Sequence, residues 1–136
     1  MTTGGSSGRV ELGLADTSLF IALEQERPLA GTPPERVTVS VITVGELRLG
    51  VLTAVEGAIR ARRLETLSHA ETLEPLPIDT AVANAWAALR LALRDAGKRM
   101  PLNDSWIAAT AIAARIPVVS QDDDYDDVPG VEVIRV

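Results

Sequence analysis

The sequence predicts an α/β fold in which a parallel sheet is covered by helices on both faces. Short β-branched runs, such as Val37-Thr38-Val39-Ser40 and Ile116 to Ser120, are separated by longer helical patterns. The segment from Trp106 to Ile116 is apolar almost all round, with Arg115 its only charge, so it reads as a helix buried between other elements. The stretch from Leu102 to Tyr125 then runs as helix, loop, buried strand and acidic turn, the repeating unit of such folds.

A chain of 136 residues suits one domain with one core, placed at residues 10–136. Residues 1–9 begin MTTGGSSG and read as a disordered tail. Only 3% of residues are aromatic, so Ala, Leu, Val and Ile must build the core. There is no cysteine, which excludes disulfides and thiolate metal sites. No apolar run approaches the ~20 residues that span a bilayer, and no signal-peptide pattern opens the chain. A cytoplasmic protein without a membrane segment is expected. The net charge of −6 argues against nucleic-acid binding through bulk charge. Such binding would need a local basic patch, or metal ions held by acids.

Val10 to Ala15 reads as the first strand, and any of Asp16-Thr17-Ser18 can cap the helix from about Ser18 to Glu24. Pro28, Gly31, Pro33 and Pro34 mark the next segment as a loop. The second strand, Val37 to Ser40, leads into a helix where Thr43-Val44-Gly45-Glu46 has capping-box spacing and Leu47, Val51 and Leu52 form the apolar stripe. A third helix, Glu56 to Ala70, turns Ile59, Leu64 and Leu67 inward and Arg60, Arg62 and Arg63 outward. Leu73 to Ile78 holds two prolines and is at best an edge strand. The longest helical pattern, Asp79 to Gly97, repeats Val82, Trp86, Leu89 and Leu93 and ends at glycine. Asn103 is placed as the N-cap of the next helix, and Val131 to Val136 as the last strand.

Ligands of open parallel sheets bind beyond the carboxyl ends of the strands. Asp16 follows the first strand and Asp122 the strand ending at Ser120. Glu46 lies early in the helix after the second strand, and Asp104 opens a helix on the same side. Four acids from distant positions therefore meet at one edge. Clustered carboxylates repel unless a cation or proton joins them. The single histidine, His69, lies outside the cluster, so an all-oxygen site for Mg²⁺ or Mn²⁺ is the expectation. Such ions activate water and neutralise phosphoryl charge, which suits phosphodiester hydrolysis.

Each acid also has a plainer explanation: Asp16 as a cap, Glu46 as a capping-box partner, Asp104 against the helix dipole, Asp122 in a solvated turn. What weakens these explanations together is the common edge. For the remaining features the plainer reading prevails. His69 is a surface residue, Trp86 and Trp106 are core, and Arg90, Arg94 and Lys98 form a solvated face rather than an RNA-phosphate track.

These residues carry a resemblance. The chain from about Leu14 to Val136 resembles a PIN-domain ribonuclease toxin of the VapC type, on Asp16-Thr17-Ser18, Thr43-Val44-Gly45-Glu46-Leu47, Pro101-Leu102-Asn103-Asp104-Ser105-Trp106-Ile107-Ala108-Ala109-Thr110-Ala111 and Pro117-Val118-Val119-Ser120-Gln121-Asp122-Asp123-Asp124-Tyr125. The resemblance implies a three-layer α/β/α PIN-like fold. It implies an endoribonuclease that cuts tRNA or ribosomal RNA and blocks translation, a homodimer, and a cognate VapB-type antitoxin. Asp16, Glu46, Asp104 and Asp122 match the family's acidic quartet, and Asp124 a further acid two positions on. Ser120 stands where threonine is common, and Tyr125 where phenylalanine is usual.

The assignment that follows has Asp16, Asp104 and Asp122 on the metal and Glu46 acting through water. A catalytically inactive binding module of the same fold is the alternative. A phosphoacceptor domain fits less well: Lys98, the sole lysine, sits at a helix end, and no DxDxT run follows the first strand.

Overall fold

The computed structural model describes residues 12–136. The expected tail at residues 1–9 lies outside them, as do the first two positions of the expected first strand. The elements run β1 (Leu12–Ala15), α1 (Thr17–Glu24), β2 (Arg36–Thr38), α2 (Val41–Thr53), α3 (Gly57–Glu71), α4 (Thr80–Asp95), α5 (Leu102–Ala114), β3 (Val118–Ser120) and β4 (Val133–Arg135). The strands form one parallel sheet in the order β2-β1-β3-β4.

Alternation along the strands divides the core. Leu14 and Val118 face one side, with Leu89 and Leu93 of α4, and Ile107, Ala108 and Ala111 of α5. Ala15 and Val119 face the other, with Leu19 and Phe20 of α1, Leu47 and Val51 of α2, and Leu67 and Ala70 of α3. Because side chains of successive strand residues point to opposite faces, two short strands suffice to seed both helical layers. The expected α/β/α sandwich is therefore present, and among the described residues no helix is long and apolar enough to cross a membrane.

Several local expectations are corrected. The helix after β2 begins at Val41 and is capped by Ser40, whose Oγ accepts from the Ile42 N–H at 3.0 Å. Thr43 is buried inside that helix, so Thr43 and Glu46 do not form a capping box. Likewise Asn103 is no cap: α5 begins at Leu102, behind Pro101, and Asn103 lies in its first turn. Proline's fixed φ pre-organises this helix start. Leu73 to Ile78 forms no strand, only a bridge between Leu76 and Ser40. Pro75 and Pro77 flank Leu76 and cannot donate to a ladder.

Leu52 and Leu64 point outward, 68% and 44% exposed. Trp86 and Trp106 are half-buried rather than core, and their rings stack at 4.3 Å between α4 and α5. The longest expected helix is present as α4. Asp79 caps α4 through the Val82 N–H at 2.9 Å, and Gly97, with φ of +68°, follows its end in the left-handed conformation.

Candidate active site

The sheet order places the connections from β1 and β3 on opposite sides of a switch point, where open α/β sheets form their ligand crevices. Asp16 stands at the carboxyl end of β1 and Ser120 at that of β3, the neighbouring strand. Asp16 caps α1, its Oδ1 accepting from the Leu19 N–H at 3.3 Å. The same oxygen accepts from Ser18 Oγ at 2.6 Å, and Oδ2 accepts from Ser120 Oγ at 2.9 Å. Ser120 Oγ also lies 3.2 Å from Asp122 Oδ1 and accepts from the Asp122 N–H at 3.1 Å. A hydroxyl carries one proton, so Asp16 and Asp122 compete for a single donor.

Glu46 reaches the same edge from α2. Its Oε1 accepts from Thr17 Oγ1 at 2.5 Å and its Oε2 from Asn103 Nδ2 at 3.3 Å. Buried Thr43 backs this pair, with its Oγ1 3.2 Å from that of Thr17. Asp104 lies in the first turn of α5, half-buried, and accepts a long 3.4 Å bond from the Tyr125 hydroxyl.

The electrostatics report the crowding. Burial pushes the Asp16 carboxyl up to about 6, and the Asp122 charge adds to this. The Ser18 and Ser120 hydrogen bonds and the Leu19 N–H oppose it. Asp104 is pushed up to about 7, first by burial, then by a hydrogen bond shared with Asp124 and by the charges of Asp124, Asp122 and Asp16. The buried Tyr125 phenol is driven up by desolvation and by the charges of Asp16, Asp104, Asp122 and Glu46. One phenol thus feels all four carboxylates. Among the described residues no lysine or arginine forms an ion pair with any of the four.

All four acids expected at one edge are brought together, and Asp124 joins them. The residues that reading the sequence missed are the ones that hold the acids: Thr17 and Ser18, taken only as capping alternatives, and Asn103, taken as a cap. The available signal was their position, directly after a strand or beside an acid. Among the described residues no three acidic or histidine side chains stand ready to share one ion. The donors are nonetheless all oxygen, and the raised pKa values of Asp16 and Asp104 mark a place where a cation would relieve repulsion. His69 is exposed near Phe20, away from this edge. Arg60 and Arg63 are not simply solvated; they donate to the carbonyls of Ala54 at 2.6 Å and Gly50 at 2.8 Å.

The family model of the PIN domain matches residues 14–131. Ribonuclease VapC4 of Mycobacterium tuberculosis is 51% identical over 132 residues, which cover 93% of this chain and 98% of that protein. Ribonuclease VapC5 of the same organism is 47% identical over 91% of this chain and 95% of its own length. Among solved structures, a member of the VapBC family of toxin–antitoxin systems, VapBC-5 from M. tuberculosis, superposes with a TM-score of 0.81 at 45% identity, covering 93% of this chain and 99% of that one. FitAcB from Neisseria gonorrhoeae superposes with a TM-score of 0.70 at 32% identity, covering 90% and 96%. The fold, the acidic edge and these similarities agree: the chain belongs to the PIN-domain family, among the VapC proteins.

Proposed function

We propose that the chain is a metal-dependent endoribonuclease toxin that hydrolyses phosphodiesters of tRNA or ribosomal RNA, blocks translation, and is neutralised by a cognate VapB-type antitoxin. The observation that supports this most is the convergence of Asp16, Glu46, Asp104 and Asp122 around Tyr125, with no ion pair to any of the four among the described residues. Both M. tuberculosis relatives are named ribonucleases, and the VapBC-5 structure is a member of a toxin–antitoxin family.

Asp16, Asp104 and Asp122 would hold Mg²⁺ or Mn²⁺. When bound, the ion would lower the pKa of a bound water and supply a counter-charge for the phosphate. Glu46, fixed at both oxygens by Thr17 and Asn103, orients the attacking water by accepting its hydrogen bond. Ser120 sets the separation of Asp16 and Asp122. Tyr125 floors the site and keeps water from beneath Asp104.

Ser120→Ala is expected to lower kcat by roughly 10–100-fold, the usual cost of losing a group that orients metal ligands. Ser120→Thr keeps the hydroxyl and should retain activity. Equal activity of all three proteins would remove Ser120 from this role.

The direct test is cleavage of total RNA, mapped by end sequencing, with Mg²⁺, with Mn²⁺ and with chelator. Metal-dependent cuts at a few defined sites, absent in Asp104→Asn, are expected. A folded protein that cuts nothing under any metal would instead be an inactive RNA- or protein-binding module.

A homodimer and a toxin–antitoxin hetero-oligomer belong to the same proposal. A groove of about 260 Å³ beside Glu46, lined by Thr17, Ile21, Leu47 and Arg63, offers an antitoxin tail both apolar walls and access to the acids. An arginine on such a tail would meet the carboxylates directly.

A further inference from the structure

An acidic protein that cuts a polyanion needs a place for the phosphates that are not being cut. A cavity of about 440 Å³ lies at the carboxyl end of α4, lined by Arg90, Arg94, Lys98 and Arg99 over a floor of Leu93 and Met100. We propose that this cavity is a phosphate-binding subsite that holds the RNA backbone beside the scissile bond; the proposal rests on the ribonuclease reading above.

Three observations carry it. First, the cations adjoin the acidic site. The turn 96–101 links the end of α4 to the first turn of α5, where Asp104 lies. Lys98 Nζ donates to the Asp126 carbonyl at 3.4 Å, and the adjacent Tyr125 donates its hydroxyl to Asp104 at 3.4 Å. Second, the charges are unspent. Among the described residues only Arg94 of the four cations forms an ion pair, with exposed Asp95 at 3.4 Å. A pair exposed on both sides contributes little. Third, Arg90 is held in place. Its guanidinium lies 5.6 Å over the Trp86 ring, which stacks on Trp106 and donates from Nε1 to Ser105 Oγ at 3.0 Å.

Attraction to the helix dipole accounts for cations in a last turn. It accounts for Arg94 but not for Arg90, more than a turn earlier, nor for Arg99 beyond the helix. The expectation of a merely solvated face missed Arg99, which only the turn after Gly97 brings to the others.

Arg94→Gln/Lys98→Gln tests the assignment, with Arg62→Gln/Glu65→Gln on α3 as a surface control. RNA affinity is measured by anisotropy of a labelled single-stranded oligoribonucleotide containing the mapped cut site, over a range of salt, on the Asp16→Asn background. KM and kcat are measured on the otherwise unmodified chain. We expect KM to rise roughly tenfold with kcat little changed, and the slope of log affinity against log salt to fall by about 1.4, at ~0.7 per phosphate for single strands. The control pair should change neither.

Unchanged KM and slope, in a protein that does cut RNA, would overturn the subsite and leave the ribonuclease reading standing. A parent protein that neither cuts nor binds RNA would overturn both. Lost binding of an acidic partner peptide with RNA affinity intact would also overturn it, and assign the cavity to protein recognition.

Discussion

Asp16→Asn is expected to lower the RNA-cleavage rate by at least about 10³-fold while the chain stays folded, and Asp104→Asn to do the same. Losing a ligand that holds the catalytic ion removes several kcal/mol of transition-state stabilisation, and each 1.36 kcal/mol is about tenfold in rate. The amide keeps the shape of the carboxyl, so the packing around 4%-exposed Asp16 survives. Its oxygen can still cap α1 through the Leu19 N–H and accept from Ser18, while its nitrogen donates to Ser120 Oγ, which can accept. Charge is thus separated from structure. Single-turnover cleavage with circular dichroism on the same sample checks both halves, and full activity in a folded Asp16→Asn protein would sink the assignment.

The second large effect is on stability. Asp16 and Asp104 have pKa values in the folded chain of about 6 and about 7, against an ordinary 3.8. The folded state therefore holds more protons than the unfolded state between about pH 4 and pH 7. Without metal, stability falls as pH rises through that window and is lowest above it. At the proposed metal site Mg²⁺ or Mn²⁺ would bind only the ionised carboxyls, so its effect is expected to run the other way and to grow toward pH 8.

At a hundredfold excess over Kd the ion adds about 2.7 kcal/mol, which raises Tm by roughly 8 °C for a chain of this size. Asp104→Asn should remove that response. It should also raise the metal-free stability at pH 8, by roughly 1 kcal/mol once solvent screening of this partly exposed group is counted. Thermal melts at pH 5.5 and pH 8, with metal and with chelator, read all of this. A metal-free Tm that rises with pH across the window would contradict the crowding of these carboxyls.

The layers, and the edge of the sheet at which the acids lie, are legible from local pattern and chain order. β-branched runs such as Val37 to Ser40 and Val118 to Ser120 alternate with helical periods, and that order specifies a parallel sheet. Asp16 directly after β1, and Asp122 two residues beyond β3, then have only one end of the sheet to occupy. Periodicity and chain direction are local properties, and they can be read one residue after another.

Tertiary structure alone decided what holds those acids. Ser120 serves both Asp16, 104 residues away, and Asp122. Thr17 and Asn103 grip the two oxygens of Glu46 across separations of 29 and 57 residues. No spacing rule reaches so far, because such bonds depend on how α1, α2 and α5 pack against the sheet. Capping failed for a related reason. Ser40 and Thr43 are both good cap residues, and which one is used depends on where the incoming strand releases the chain. The stacked tryptophans show the same limit. Their spacing marks an apolar stripe, but how far α4 and α5 cover that stripe is set by packing, which leaves Trp86 open to Arg90.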